Sequence, residues 1–305
     1  MKNKKSVICV LLAGILWGII TVFIKRLSAS GLDAMNISLI RMAVAAPLFT
    51  VFALAKDRHA LKIRPRDIPL FIGTGIISVV LFNCFYFYTM IHSQASIAVV
   101  LLYTSPVFIM LMSAVFFREK ITARKIAALI LTVAGCVLVT GLAGGGYRLT
   151  PLILMTGLGS GLCYGLYSIF GRFALRRYSP MTVTEYTFIF GLIGSLFIGK
   201  PLQTAKIIAA EPSLILWCLG IGILCTVLPY LFYTEGLRGL DTGKAGIIAA
   251  IEPLVGALLG MTVYGEPRTA LKIAGIALVF TAIILLNLPS KAQDKPDIQK
   301  KNTAD

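Results

Sequence analysis

Ten stretches of this chain are apolar over about 17 to 25 residues, the length that crosses a hydrocarbon core of about 30 Å, and no other feature narrows the fold so far. They run Val7–Phe23, Ala34–Ala55, Ile68–Met90, Ala95–Phe117, Ile126–Ala143, Leu152–Ala174, Met181–Ile198, Leu214–Tyr233, Ala245–Tyr264 and Ala270–Leu288. Lipid offers the backbone no hydrogen-bond partner, so a continuous apolar run of this length spans as an α-helix. Composition agrees: 57% of the residues are hydrophobic, 14% are charged, and the mean hydropathy is +0.87. The chain reads as an all-α integral membrane protein with ten transmembrane helices.

A basic "MKNKK" before an apolar run also opens secretory signal peptides. Run length, the Trp17-Gly18 pair and the lack of an A-x-A cleavage site favour a retained helix. With the N-terminus inside, 21 of the 29 Lys and Arg fall in the N-terminal segment, the tail or alternate loops on that side, and 7 on the other. Positive loops stay in the cytoplasm, so both termini are expected there, in the cell membrane. A basic inner face beside anionic lipid accounts for the formal charge of +16 without nucleic acid as a partner. All six cysteines fall in apolar runs without a C-x-x-C pair and read as packing residues. His59 and His92 fall outside any ligand spacing, and no G-x-x-x-x-G-K-[ST] is present, so neither a metal nor a nucleotide cofactor is implied. The polar residues 289–305 read as a disordered cytoplasmic tail.

The chain matches itself. At a constant offset of 147 residues, "YTSPVFIMLMSAVFFREKITARKIA" aligns with "AIEPLVGALLGMTVYGEPRTALKIA". Pro106 meets Pro253, Glu119 meets Glu266, Gly14 and Gly18 meet Gly161 and Gly165, and Trp17 meets Tyr164. Residues 1–147 and 148–288 are therefore two five-helix units. Five is odd, so the second unit enters the membrane in the opposite sense, giving an inverted repeat about an axis in the membrane plane. The first run must then be a helix, because its counterpart at Leu152–Ala174 cannot be a cleaved signal.

Prolines at equivalent mid-membrane positions each leave an i−4 carbonyl without its donor, which lipid cannot satisfy and a polar cavity can. Thr104-Ser105 and Glu252 precede them, so the fourth and ninth helices are expected to line a central water-accessible cavity. A carboxylate at Glu252 is a functional hypothesis by default, against a structural ion pair. Arg41, eight residues into the second run, cannot shed its charge and needs a partner. Either it binds a solute carboxylate, or it pairs with Glu252 or Glu185 or snorkels to the nearer face. Trp17, Asn83, Tyr103 and Tyr164 are the remaining cavity candidates, while Tyr86, Tyr88 and Tyr233, nearer helix ends, read as interfacial belt. Aromatic walls with Glu252 suit an organic cation and Arg41 suits an anion, so a zwitterion is the economical substrate class. Glu252 is also the candidate carrier of a coupling proton. Glu119 and Glu266, at equivalent helix ends, read as structural closures of loop junctions, and a complete pair of repeats leaves the oligomeric state open.

The endings "SPVFIMLMSAVFFREKIT" and "EPLVGALLGMTVYGEPRT", with "AGILWG" and "SGLCYG", resemble the drug/metabolite transporter superfamily, specifically its ten-helix EamA type, from Val7 to Leu288. The resemblance implies a secondary transporter of small organic solutes such as amino acids, amines or drugs, in bacteria frequently an exporter. It implies a cavity built from helices one to four and six to nine, with the fifth and tenth peripheral. The alternative is a flippase for a lipid-linked metabolite. A membrane-embedded enzyme would leave acid, base or metal-binding clusters at an interface, and these loops are short, basic and poor in carboxylates and His.

Overall fold

The computed structural model describes residues 2–56, 58–93, 95–140, 150–265 and 267–288. Glu266 and the tail 289–305 lie outside the described residues. Nine helices among them are long and apolar enough to span a membrane. These are helix 1 (Lys4–Ala29), helix 2 (Ala34–Ala55), helix 3 (Pro65–His92), helix 4 (Ile97–Phe117), helix 6 (Pro151–Ala174), helix 7 (Pro180–Ile198), helix 8 (Leu214–Leu237), helix 9 (Thr242–Val263) and helix 10 (Ala270–Asn287). Helix 5, Ala123–Val139, has 17 residues and packs along helix 10. The ten runs are thus ten helices, and a short helix Pro201–Ala210 joins helices 7 and 8.

Local chemistry sets several starts. Thr122 and Thr269, equivalent in the repeat, each accept the backbone N–H three residues on, at 3.2 and 3.3 Å. Thr150 and Ser179 do the same ahead of Pro151 and Pro180, whose missing N–H costs nothing in a first turn.

The packing is that of an inverted repeat. Helix 1 lies on helices 8 and 9, helix 6 lies on helices 3 and 4, helix 2 lies on helix 7, and helix 5 lies on helix 10. Exchanging the halves maps every one of these contacts onto another or onto itself. Helices 3 and 8 both carry a wider π-helical stretch, Gly73–Leu81 and Ile223–Val227. Helix 4 breaks at Tyr103-Thr104 and helix 9 at Ala250-Ile251, the same two positions of the repeat.

These breaks alter the account of the prolines. Pro106 and Pro253 sit in the first turn of the second segments, Ser105–Phe117 and Glu252–Val263, and so restart a helix rather than kink one. The carbonyls they leave without a helical donor are those of Leu102 and Ala249. Both lie against a glycine: a Cβ on Gly161 would stand 3.1 Å from the Leu102 oxygen, and one on Gly14 would stand 3.0 Å from that of Ala249. Only glycine lets the two backbones approach so closely.

Candidate functional site

Helices 1 to 4, 8 and 9, with Tyr164 of helix 6, surround a cavity of about 330 Å³. Its lining comes from the ends of helices 1, 3, 5 and 9 and the starts of helices 2, 4 and 10, so it opens on the face opposite the N-terminus. Helices 5 and 10 contribute Val139, Thr140 and Lys272 at that mouth and are otherwise peripheral.

All six candidate residues, Trp17, Arg41, Asn83, Tyr103, Tyr164 and Glu252, line this one cavity. Glu252 opens the second segment of helix 9, where the break turns its side chain inward, and its Oε2 accepts the Tyr164 hydroxyl at 3.3 Å. Arg41 reaches from helix 2 and donates its Nε to Thr226 Oγ1 at 2.9 Å. Among the described residues no ion pair joins Arg41 to Glu252 or to Glu185, so of the alternatives the sequence left open, the ion pair is not formed. Glu185 instead meets Thr50 Oγ1 at 2.6 Å between helices 7 and 2. The two η nitrogens of Arg41 have no hydrogen-bond partner among the described residues, and the guanidinium borders the cavity. Asn83 is fixed by donating to Ser38 Oγ at 2.7 Å.

The aromatic wall is built around Trp17. Its ring meets Tyr230 edge-on at 5.3 Å, Tyr233 at 5.4 Å and Tyr164 at 6.3 Å, while Phe82 meets Tyr164 at 5.4 Å. Tyr233 is therefore not a belt residue: it is 4% exposed and its hydroxyl pairs with Ser168 at 2.8 Å. Tyr86 also leaves the belt, stacking on Phe82 in the cavity wall. Tyr88 stays at a helix end, stacked on His92. Sequence reasoning missed Thr226, Ser38 and Phe82. Thr226 lies in a π-helical stretch, where the register of side chains departs from 3.6 residues per turn and leaves no periodic signal.

The face carrying the N-terminus is closed. Glu119, at the end of helix 4, accepts the Thr242 and Gly243 amides at 2.7 and 3.2 Å and so caps the first segment of helix 9. Lys125 meets Asp241 at 3.0 Å and Glu119 at 3.9 Å. Arg172 of helix 6 donates to the carbonyls of Leu237, the last residue of helix 8, and of Leu240 beyond it. Ile109 of helix 4 fills the space over Gly246 of helix 9, where a Cβ would stand 3.4 Å from that of Ile109.

A helical bundle of two inverted halves, sealed on one face and open on the other to a central polar and aromatic cavity, has the form of a membrane carrier. Residues 4–141 and 151–288 each match the EamA-like transporter family, and the chain belongs to that family. An uncharacterized transporter of Archaeoglobus fulgidus is 26% identical over 270 residues, covering 88% of this chain and 94% of its own. A probable terminal-alkyne amino-acid exporter of Streptantibioticus cattleyicolor is 24% identical over 293 residues, covering 94% and 95%. A solved crystal structure shares the fold with a TM-score of 0.74 at 17% identity, covering 93% of this chain and 97% of that one. The chain is a multi-pass membrane transporter.

Proposed function

We propose that this transporter exports small zwitterionic organic solutes of the amino-acid type by alternating access across the cytoplasmic membrane, both termini being cytoplasmic. The observation that carries the reading is one cavity holding Arg41 and Glu252 unpaired with each other. The η nitrogens of Arg41 present a planar fork suited to a carboxylate, and Glu252 with the Trp17 and Tyr164 rings suits an ammonium group. A relative named as a probable amino-acid exporter points the same way. In this orientation the cavity is open to the outside, the state from which an exported solute leaves.

The repeat specifies the other state. Ile109 over Gly246 seals the inner face, and the same two repeat positions with the halves exchanged are Gly256 and Val99. Large and small trade places, so Val99 of helix 4 can seat over Gly256 of helix 9 and seal the outer face. Here they stand apart: around the Cβ position of Gly256 the atoms within 4 Å belong to Gly18 and Thr21, and Val99 lines the open cavity. Glu252 lies beside this seam and is the group that would carry a proton if export is proton-driven.

The test is flux in proteoliposomes, comparing an amino acid with its decarboxylated amine and its deaminated acid. Native protein moves the zwitterion best; Arg41→Gln loses its preference over the amine, and Glu252→Gln its preference over the acid. If either variant keeps native selectivity, that residue does not touch the solute. Movement of lipid-linked groups only would favour the flippase.

A further inference from the structure

On the face carrying the N-terminus, a second cavity of about 1130 Å³ lies where three loops and the end of helix 10 meet. It is lined by eight Lys and Arg side chains and two carboxylates. Both carboxylates are committed, Glu119 to the amides that open helix 9 and Asp241 to Lys125. Two cations are held by neutral groups: Arg172 by two carbonyls, and Arg176 over the rings of Phe117 and Phe173 at 5.4 and 4.9 Å. The side chains of Arg118, Lys120 and Lys244 make no hydrogen bond or ion pair among the described residues, and Lys244 is half-buried. A basic face spread along the bilayer needs none of this, whereas here the excess charge is concentrated in one concave site.

The rim is apolar. Phe117, Leu175 and Leu288 border the cavity, and Leu288 and Phe116, the residue before Phe117, are 51% and 53% exposed. A ligand that satisfies both parts carries phosphate and an acyl chain. The volume is many times that of one phosphate group, given that a water occupies about 30 Å³.

We propose that this cavity binds the headgroup of an anionic phospholipid, best one bearing two phosphates, and that the bound headgroup bridges the two halves. Its cations come from the 118–125 segment of the first half and from the 172–176 and 238–244 segments of the second. The lipid therefore holds the inner face closed. This rests on no property of the solute cavity and is tested without a transported solute.

The experiment uses the full-length protein, stripped of lipid in detergent at low salt. Binding is measured by thermal shift and by native mass spectrometry with cardiolipin, phosphatidylglycerol, phosphatidylcholine and pyrophosphate. Cardiolipin is expected to bind tightest and phosphatidylcholine weakest. Each removed cation should weaken cardiolipin about fivefold, and Arg118→Gln, Lys120→Gln and Lys244→Gln together about a hundredfold. Lys244→Gln alone serves if the triple variant folds poorly. Unchanged cardiolipin affinity in the variants, or equal binding of phosphatidylcholine, overturns the proposal. Pyrophosphate binding as tightly as cardiolipin, with the same sensitivity to the variants, overturns the lipid as its source.

Discussion

Glu119→Gln tests whether the inner seal is a gate. Glu119 belongs to the first half and the amides it caps belong to the second, so under the proposed cycle its hydrogen bonds exist only while the face carrying the N-terminus is closed. Its side chain is 10% exposed, so little solvent screens it. A bond to a charged group contributes about 1.5 to 3 kcal/mol. Glutamine keeps one acceptor oxygen and turns an NH2 toward the other amide, so about one such bond is lost. At 1.4 kcal/mol per factor of ten, the closed state should lose a factor of roughly ten to a hundred against the inward-open one. The reporter is Ser113→Cys in a protein lacking the six native cysteines; Ser113 is 1% exposed and sits beside Gly243. Its alkylation by a membrane-permeant maleimide should speed up roughly ten- to a hundredfold in the Gln variant. A drop in melting temperature with an unchanged alkylation rate would refute the reasoning, leaving Glu119 a helix cap that does not gate.

Two further outcomes follow from packing and charge. Gly14→Ala places a Cβ 2.5 Å from Ile251 Cγ2, and Gly161→Ala one 2.7 Å from Thr104 Oγ1, beside the freed carbonyls. Each should destabilise the protein by about 1 to 3 kcal/mol in thermal unfolding, whereas alanine at Gly31, with open space around it, should do so only through its positive φ of 87°. Outside the membrane, Glu211 accepts from Arg26, Ser213 and Ser30, and these bonds, that of Arg26 first, hold its carboxyl below the ordinary value of 4.5. A depressed carboxyl stabilises the fold above its unfolded value and loses that contribution as pH falls through the folded one. Acidification below about pH 4.5 should therefore loosen the tie between the end of helix 1 and the segment before helix 8, seen as faster proteolysis there, and Glu211→Gln should abolish the pH step.

The ten helices were legible because lipid demands long apolar runs, and the inverted architecture because the 147-residue offset preserves proline, glycine and glutamate together. The position of the helix 4 and 9 breaks was legible from the prolines, but not their use, since a contact between a freed carbonyl and a glycine two helices away has no local signature. Arg41 announced itself as a charge in an apolar run; its partner Thr226 did not, because threonine is ordinary there and a π-helical stretch sets its direction. The belt reading of Tyr233 failed because closeness to a helix end in sequence does not fix depth once Trp17, Tyr167 and Ser168 pack around it.

Alternating access by exchange of the two halves is tested most directly by two cysteine pairs in native membranes. Ile109→Cys with Gly246→Cys places Cβ atoms about 3.4 Å apart in the present conformation, close to the separation a disulfide needs. Val99→Cys with Gly256→Cys can join only after the outer face closes. Both pairs should cross-link, and a molecule locked by the inner pair should no longer form the outer one. If the outer pair never forms in a protein that still transports, or forms as readily with the inner pair locked, the halves do not exchange their contacts and the mechanism is wrong.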